Sequence, residues 1–276
     1  HRSASPQDTD ITNLVSNSGV VASDVTGVGT ARQSSAACEY GGDKGIIGFG
    51  TTGSVSSLTN LVSNAGVVAS DTAGVGTARH QLAACGYGDD KGIFGFGTTG
   101  SVTAVTNLVS NAGVVATDTT GVGAARNGLA ACEYGGDKGI FGFGTTGTRV
   151  STTNLVSNAG VVATDTTGVG TARNLLAACS YGYDKGIFGY GYNSGATAVT
   201  NLVSNAGVVA TDTTGVGTVR YALAGCEYGQ DKGIFFGGDA NPYTGVSNLV
   251  SNVGVVGTDV SAVGTARGYV AGCSFN

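Results

Sequence analysis

The chain has 276 residues, of which 50 are glycine, 41% are hydrophobic and only 11% are charged, and its formal net charge is -5. The basic residues are scattered singly, which argues against nucleic acid as a partner, and no apolar run reaches the roughly 20 residues of a membrane-spanning helix. Glycine without a Gly-X-Y period excludes collagen, while abundant valine and aromatic residues argue against disorder. We therefore expect a globular, turn-rich protein with no membrane span.

The first residue is His1, and the sequence contains no methionine. From this we expect that an N-terminal leader has been removed. The expected location is therefore secreted or displayed on a surface.

Along the chain, a segment of the type TNLVSN recurs every 47 residues. Its leading asparagines are Asn13, Asn60, Asn107, Asn154, Asn201 and Asn248. Arginines and cysteines follow the same spacing. The sequence therefore predicts six copies of one structural unit.

Each copy contains four short segments that predict β-strands. In one copy they are residues 175–181 (LLAACSY), 185–190 (KGIFGY), 200–205 (TNLVSN) and 207–212 (GVVATD). The residues between them are typical of turns, and no helical periodicity competes. Four strands in a repeat of this length are typical of a β-propeller blade.

The two ends of the chain carry complementary parts of the sixth copy. Residues 12–24 supply the third and fourth segments, and residues 268–275 supply the first. We therefore predict an all-β, six-bladed β-propeller of 47-residue four-stranded blades, a single domain over residues 1–276, closed by pairing of N- and C-terminal partial blades. The sixth copy lacks an equivalent of the GIFGFG strand. Either residues 2–7 run there in extended form, or the blade is incomplete, or a neighbouring chain donates a strand.

Residues 173–191, RNLLAACSYGYDKGIFGYG, followed by TNLVSN and GVVATDTTGV, resemble the Kelch repeat. The shared order is an arginine, a small apolar innermost strand, a turn, an aromatic second strand ending in glycine, and two outer strands. The resemblance covers nearly the whole chain, although the glycine doublet of the family survives only at Gly237 and Gly238. It implies the propeller fold. The degenerate repeats of this chain also resemble those of phage and viral surface proteins.

The resemblance implies that the first segment is innermost, so that six arginines surround one mouth of a central channel. They are Arg32, Arg79, Arg126, Arg173, Arg220 and Arg267. Such a set would bind an anion. Each arginine also follows an aspartate by eight residues, as Arg126 follows Asp118, which favours ion pairs with a structural role.

Two other repeated sets are candidates for binding a glycan. Tyrosines follow five of the cysteine strands, at Tyr40, Tyr87, Tyr134, Tyr181 and Tyr228. Aspartates precede lysines in the next turn, at Asp43, Asp90, Asp137, Asp184 and Asp231. The tyrosine rings could stack on sugars or pack between blades, and the Asp–Lys pairs could bind hydroxyl groups or be solvated turn residues.

The two histidines belong to no repeat, and no nucleophile–base or phosphate-binding motif is present. We therefore expect no enzymatic activity, no metal and no cofactor. The favoured function is lectin-like, multivalent recognition of a glycan or other repetitive extracellular ligand by equivalent sites. The alternative is a structural or adhesive scaffold subunit of an extracellular or virion assembly. Both functions are compatible with a homo-oligomer.

Overall fold

A computed structural model describes residues 8–275, so His1 and the predicted extended segment 2–7 lie outside the described residues. The predicted all-β, repeated structure is confirmed: five antiparallel sheets of three strands each follow one another along the chain. No helix in this range is long and apolar enough to cross a lipid bilayer. The strands are β1 (Ala36–Tyr40), β2 (Lys44–Gly48), β3 (Thr59–Val62), β4 (Ala83–Tyr87), β5 (Lys91–Gly95), β6 (Thr106–Val109), β7 (Ala130–Tyr134), β8 (Lys138–Gly142), β9 (Thr153–Val156), β10 (Ala177–Tyr181), β11 (Lys185–Gly189), β12 (Thr200–Val203), β13 (Ala224–Tyr228), β14 (Lys232–Phe236) and β15 (Ser247–Val250).

The third unit shows how each sheet is built. Strand β8 is central and pairs with β7 and with β9, so that Ile140 lies opposite both Cys132 and Leu155. The turn from β7 to β8 contains Gly135 and Gly136, whose φ angles of 66° and 82° are in the left-handed region. Glycine adopts such angles without strain, which allows the tight reversal between the two strands.

The prediction of six four-stranded blades is wrong, because the fourth segment never becomes a strand. It meets the third segment only at isolated bridges, such as Val156↔Val162 and Thr153↔Thr166. Between these bridges the fourth segment advances one residue more than the third, which interrupts the ladder. The side-chain amide of Asn154 fills the interruption by donating to a carbonyl oxygen and a carboxylate of the fourth segment. The chain thus forms five three-stranded sheets.

The predicted closure by pairing of terminal partial blades is also wrong. Within residues 8–275 the first strand begins at Ala36 and the last ends at Val250, and no sheet is closed. The two ends nevertheless meet at the Asp24 side chain: the backbone N–H of Thr265 donates to the Asp24 carboxylate at 2.9 Å, and Arg267 Nη1 lies 3.6 Å from the same carboxylate. In the part of the chain that the structure describes, no strand pairs with both of these terminal segments.

The core lies between successive units and not within one sheet. Phe143 of the third unit meets Phe188 of the fourth edge to face, with ring centroids 5.1 Å apart, and both rings are fully buried. A Cβ on Gly142 would come within 2.7 Å of the Phe188 ring, so this approach requires glycine. Burying one such phenylalanine contributes roughly 2–3 kcal/mol. Packing of neighbours therefore stabilises each sheet.

The six cysteines occupy one equivalent position in each unit and are free thiols. Cys38, Cys85, Cys132 and Cys179 are buried, whereas Cys226 and Cys273 are half-buried. Burial raises the pKa of the Cys132 thiol far above its ordinary value. The buried thiols are consequently protonated and act as small apolar side chains.

Candidate functional site

The repeated arginines lie at the boundaries between units. Arg126 is fully buried: its Nε donates to the Phe143 carbonyl oxygen at 2.9 Å, its Nη2 donates to Asn154 Oδ1 at 2.6 Å, and its Cζ lies 4.2 Å from the centre of the Phe96 ring. These contacts stabilise the guanidinium by hydrogen bonds and by a cation–π interaction. Arg79, Arg173 and Arg220 are also fully buried, whereas Arg32 and Arg267 are half-buried.

The arginines pair with different aspartates from those that the eight-residue spacing predicted. Arg126 Nη1 lies 3.9 Å from Asp165 Oδ1, and Asp118 instead accepts the backbone N–H of Thr77, at 3.0 Å. Burial lowers the pKa of Arg126 to about 10, so the guanidinium stays charged at neutral pH. The donors of this group are used within the protein, and its role as an anion site stays a prediction.

The five predicted tyrosines are buried, with 3–5% of each side chain exposed. The ring of Tyr134 lies over Gly207, where an added Cβ would approach it to 2.9 Å. Burial raises the pKa of the Tyr134 hydroxyl. The ring faces pack against other parts of the protein, which is the second of the two arrangements that the sequence left open.

The Asp–Lys pairs lie in the exposed turns that join the first and second strands, and each is joined by an asparagine. In the third unit, Lys138 Nζ donates to Asp137 Oδ1 at 2.5 Å, and Asn158 Nδ2 donates to Asp137 Oδ2 at 2.9 Å. We call each such set an Asp–Lys–Asn cluster. The five clusters are Asp43–Lys44–Asn64, Asp90–Lys91–Asn111, Asp137–Lys138–Asn158, Asp184–Lys185–Asn205 and Asp231–Lys232–Asn252.

The charges within a cluster are balanced by its own hydrogen bonds. The Lys138 and Asn158 donors lower the pKa of the Asp137 carboxyl, and the hydrogen bond to Asp137 raises the pKa of Lys138. Both charged forms are therefore present at neutral pH. The ammonium and the amide keep further N–H donors, and the carboxylate oxygens keep lone pairs. Donors and acceptors thus lie side by side on an accessible turn.

Two further features of this turn region were missed by sequence reasoning. The asparagine that completes each cluster is the last residue of the NLVSN segment, and its repetition was the available signal. Three residues later stands a valine, such as Val161, which is 65% exposed. The equivalent valines, Val20, Val67, Val114, Val208 and Val255, are 63–65% exposed as well. In the five units that have an Asp–Lys–Asn cluster, an exposed valine therefore follows the asparagine of the cluster by three residues.

A second site that was missed is a narrow cavity of about 100 Å³ lined by the first strands of the five sheets and by residues 272–274. The residues after the cysteines line this cavity and alternate between acidic and small. They are Glu39, Gly86, Glu133, Ser180, Glu227 and Ser274. The Glu133 carboxyl lies over Gly86, where an added Cβ would come within 1.7 Å of its oxygen, and it lines the same cavity as Glu39. The small residues provide the room for three carboxyl groups.

These three glutamates hold protons more tightly than an exposed carboxyl group does. Burial, and then the charges of Glu39 and Asp231, raise the pKa of Glu227 to about 8. Burial and the nearby Glu39 carboxyl raise the pKa of Glu133 well above its ordinary value. Like charges this close cannot all ionise in a low-dielectric site. The Glu227 carboxyl is therefore largely protonated at neutral pH, and the pKa values of Glu39 and Glu133 are raised in the same direction.

A scan of the chain against protein-family models finds no match, and a search of curated proteins finds no significant one. The candidate sites are accordingly defined by their own geometry. Over residues 8–275, no group of three or more His, Cys, Asp or Glu side chains is arranged to hold a metal ion.

Proposed function

We propose that the protein is a non-enzymatic, multivalent binding protein that recognises carbohydrate through its five Asp–Lys–Asn clusters. The observation that carries the proposal is the repetition of one hydrogen-bonded set at five equivalent exposed turns, as in Asp137, Lys138 and Asn158. A ligand that presents one chemical group many times would engage several of these clusters at once.

The chemistry of a cluster matches vicinal hydroxyl groups. A hydroxyl both donates and accepts, and so it needs a neighbouring acceptor and donor of the kind that Asp137 and Lys138 provide together. The exposed valine of the same turn region, Val161, offers a small apolar contact to the C–H face of a sugar. The buried tyrosine rings do not take part in this scheme. Each such site is shallow, so a high affinity for a glycan would come from several clusters that bind the same ligand at once.

Linking weak sites raises affinity by roughly 10²- to 10⁴-fold without any new contact. The proposal therefore predicts strong binding to dense glycan surfaces and weak binding to free monosaccharides. A glycan array printed at high and low density measures both, followed by inhibition with free sugar. If the native protein binds no glycan even at high density, the proposal is wrong.

A variant with five substitutions tests whether the Asp–Lys–Asn clusters bind the glycan. Changing Asn64, Asn111, Asn158, Asn205 and Asn252 to alanine removes one donor from each cluster. We expect glycan binding to fall by about 100-fold or more, while Asn158→Ala alone lowers it only a few-fold because four clusters remain. A control with Thr52, Thr99 and Thr146 changed to alanine alters exposed loop residues that belong to no cluster. The control should bind as the native protein does.

A second candidate function is a scaffold subunit of an extracellular or virion assembly. The observation that favours it is that residues 8–275 form five separate three-stranded sheets, none of which is closed. Open sheet edges are typical sites of association. Sedimentation velocity and electron microscopy over a range of protein concentrations would reveal such assemblies. A monomer at all concentrations, together with glycan binding, would leave the first proposal alone.

A further inference from the structure

The loops that follow the second strands differ between units more than any other segment. In the third and fourth units, residues 153–166 and 200–213 are identical, whereas the loops 145–152 and 192–199 read TTGTRVST and YNSGATAV. These loops lie at the opposite end of the sheets from the Asp–Lys–Asn clusters, because the clusters follow the first strands and the loops follow the second strands. Variable loops on a regular repeat are typical positions of ligand recognition.

Arg149, in the loop of the third unit, is unlike the other basic residues. Within residues 8–275, every lysine belongs to an Asp–Lys–Asn cluster, and every other arginine belongs to the set at the unit boundaries. Arg149 is exposed, and none of the ion pairs in this range includes it. Residues 1–7 contain no aspartate or glutamate. The residues equivalent to Arg149 in the other loops are Val55, Val102, Ala196 and Tyr243.

Contacts with the fourth unit hold the Arg149 side chain in place. Its Nε donates to Asn174 Oδ1 at 3.2 Å, and its Cζ lies 4.9 Å from the centre of the Tyr192 ring. Tyr192 packs edge to face against Tyr221, with ring centroids 5.2 Å apart. The Tyr221 hydroxyl in turn donates to the Asp239 carboxylate at 2.7 Å. The guanidinium is therefore oriented before any ligand arrives.

The two terminal nitrogens of Arg149 distinguish it from the buried arginines. In Arg126, Nη1 donates to the Ala124 carbonyl oxygen and Nη2 donates to Asn154. In Arg149, only Nε donates to an acceptor within residues 8–275. Its Nη1 and Nη2 groups thus keep the parallel N–H donors that bind both oxygens of a carboxylate.

The groups around Arg149 match a sugar better than a peptide. The amide of Asn174 accepts from Arg149 through Oδ1 and keeps its two Nδ2 donors. The half-buried hydroxyls of Tyr192 and Tyr221 can accept from a ligand hydroxyl, because a phenolic oxygen keeps lone pairs even when it donates. A uronic acid residue carries a carboxylate and several hydroxyls on one ring, whereas an acidic peptide side chain carries the carboxylate alone.

We propose that Arg149, Asn174 and Tyr192 form a binding site for a uronic acid residue of a glycan. The sugar carboxylate pairs with Nη1 and Nη2 of Arg149, and the sugar hydroxyls bind Asn174 and Tyr192. The proposal rests on the proposed function in that the ligand is a carbohydrate, but it uses the opposite end of the sheets. Since the other units have no arginine at this position, the protein has one such site, which selects acidic glycans.

The test compares two sugars that differ only in the carboxylate. The probe is methyl β-D-glucuronide, and methyl β-D-glucoside is its neutral counterpart. Saturation transfer from the full native chain to each sugar, followed by NMR against sugar concentration, gives both affinities. We expect the glucuronide to bind at least about 10-fold more tightly than the glucoside, because a charge-assisted bidentate pair is lost in the latter.

Variants of the exposed loop assign this preference to Arg149. Arg149→Gln removes the charge and should lower the affinity for the glucuronide by about 10-fold or more. Arg149→Lys keeps the charge but not the planar pair of donors, so its affinity should lie between those of Arg149→Gln and the native chain. Thr146→Ala, in the same loop, is the matched control and should bind as the native chain does. Circular dichroism verifies the fold of each variant.

Three results would overturn the proposal: equal affinity for the two sugars, an unchanged affinity in Arg149→Gln, or tighter binding of an acetylated Glu-Glu dipeptide than of the glucuronide. The last result would assign the site to an acidic peptide. Failure of this site is distinguishable from failure of the Asp–Lys–Asn clusters. Neutral glycans bound on a dense array without a preference for the glucuronide would refute this site alone. Binding of the glucuronide that Arg149→Gln abolishes, with no neutral glycan bound, would refute the clusters alone.

Discussion

The third and sixth units have nearly the same sequence in their third segments, yet their burial differs. Val156 and Asn154 are fully buried, while the equivalent Val15 and Asn13 are half-buried and Leu14 is 38% exposed. The polar contacts nevertheless persist: Asn154 donates to its aspartate at 2.8 Å and Asn13 donates to its own at 2.9 Å. The polar network is therefore set locally, whereas the burial of the apolar side chains differs between the two units.

The largest expected difference between the two units is at the arginines. Arg126→Met leaves buried acceptors without their charged donor and should lower the free energy of unfolding by about 3–5 kcal/mol. The side chain of Arg267 is 12% exposed, compared with 0% for Arg126. Arg267→Met should therefore lower the free energy of unfolding by only on the order of 1–2 kcal/mol. Urea unfolding measures both.

Arg149→Met is the matched control, because Arg149 is exposed and stacks on Tyr192 at 4.9 Å. It should change the free energy of unfolding by less than about 1 kcal/mol. Equal losses for Arg126→Met and Arg267→Met would contradict the comparison of the two units.

The second largest effect is on how the free energy of unfolding depends on pH. It arises at the position where the third unit has Glu133 and the sixth has Ser274. A carboxyl with a raised pKa contributes stability that is fully present below its ordinary pKa of 4.5 and is lost as pH rises through its folded pKa, about 8 for Glu227. The free energy of unfolding should therefore fall between these pH values, by on the order of 3 kcal/mol. Thermal unfolding over this pH range gives the curve.

Glu133→Gln removes one member of the carboxyl cluster and should flatten this decline. At lower pH the opposite trend applies, because hydrogen bonds from Thr265 and Asn13 lower the pKa of Asp24, and its contribution is lost as pH falls below about 4. An unchanged slope between pH 5 and 8 in Glu133→Gln would show that the cluster does not titrate in this way.

A smaller effect is expected from the apolar packing itself. Val156→Ala removes two buried methyl groups and should cost roughly 2 kcal/mol, whereas Val15→Ala, in the sixth unit, should cost less than about 1 kcal/mol. Unfolding midpoints in urea measure the difference.

The smallest effect is expected at the Asp–Lys–Asn clusters, which the sixth unit lacks entirely. Asp137→Asn breaks a half-buried surface ion pair and should change the free energy of unfolding by less than about 1 kcal/mol. The same variant should weaken glycan binding. A large loss of stability would instead mean that the cluster serves the fold more than a ligand.

The sequence predicted the strands well where one repeated pattern had one local cause. The segments around Cys132, Ile140 and Leu155 are strands because short alternating apolar runs between glycine-rich turns favour them. The segment after Val156 has the same composition but is not a strand, because Asn154 competes for its backbone carbonyl. Composition alone does not reveal that competition.

The candidate site was predicted in part. The Asp–Lys turns follow from adjacent residues, so Asp137 and Lys138 are found from the sequence, whereas Asn158 joins them only because β8 and β9 pair. The pairing of Arg126 with Asp165 and not Asp118 likewise depends on how the units stack. The three glutamates meet across different sheets, a contact that no spacing within one unit encodes.

By itself, the sequence determined the period of 47 residues, the all-β class and the hairpin turns, because these depend on residues close together along the chain. Only the tertiary structure decided that each sheet has three strands, that Arg126 is buried, and that the carboxyl groups of Glu39 and Glu133 share a cavity. The physical reason is that burial and charge coupling depend on how the units pack against one another, so that segments of nearly the same sequence differ in burial, as Val156 and Val15 do.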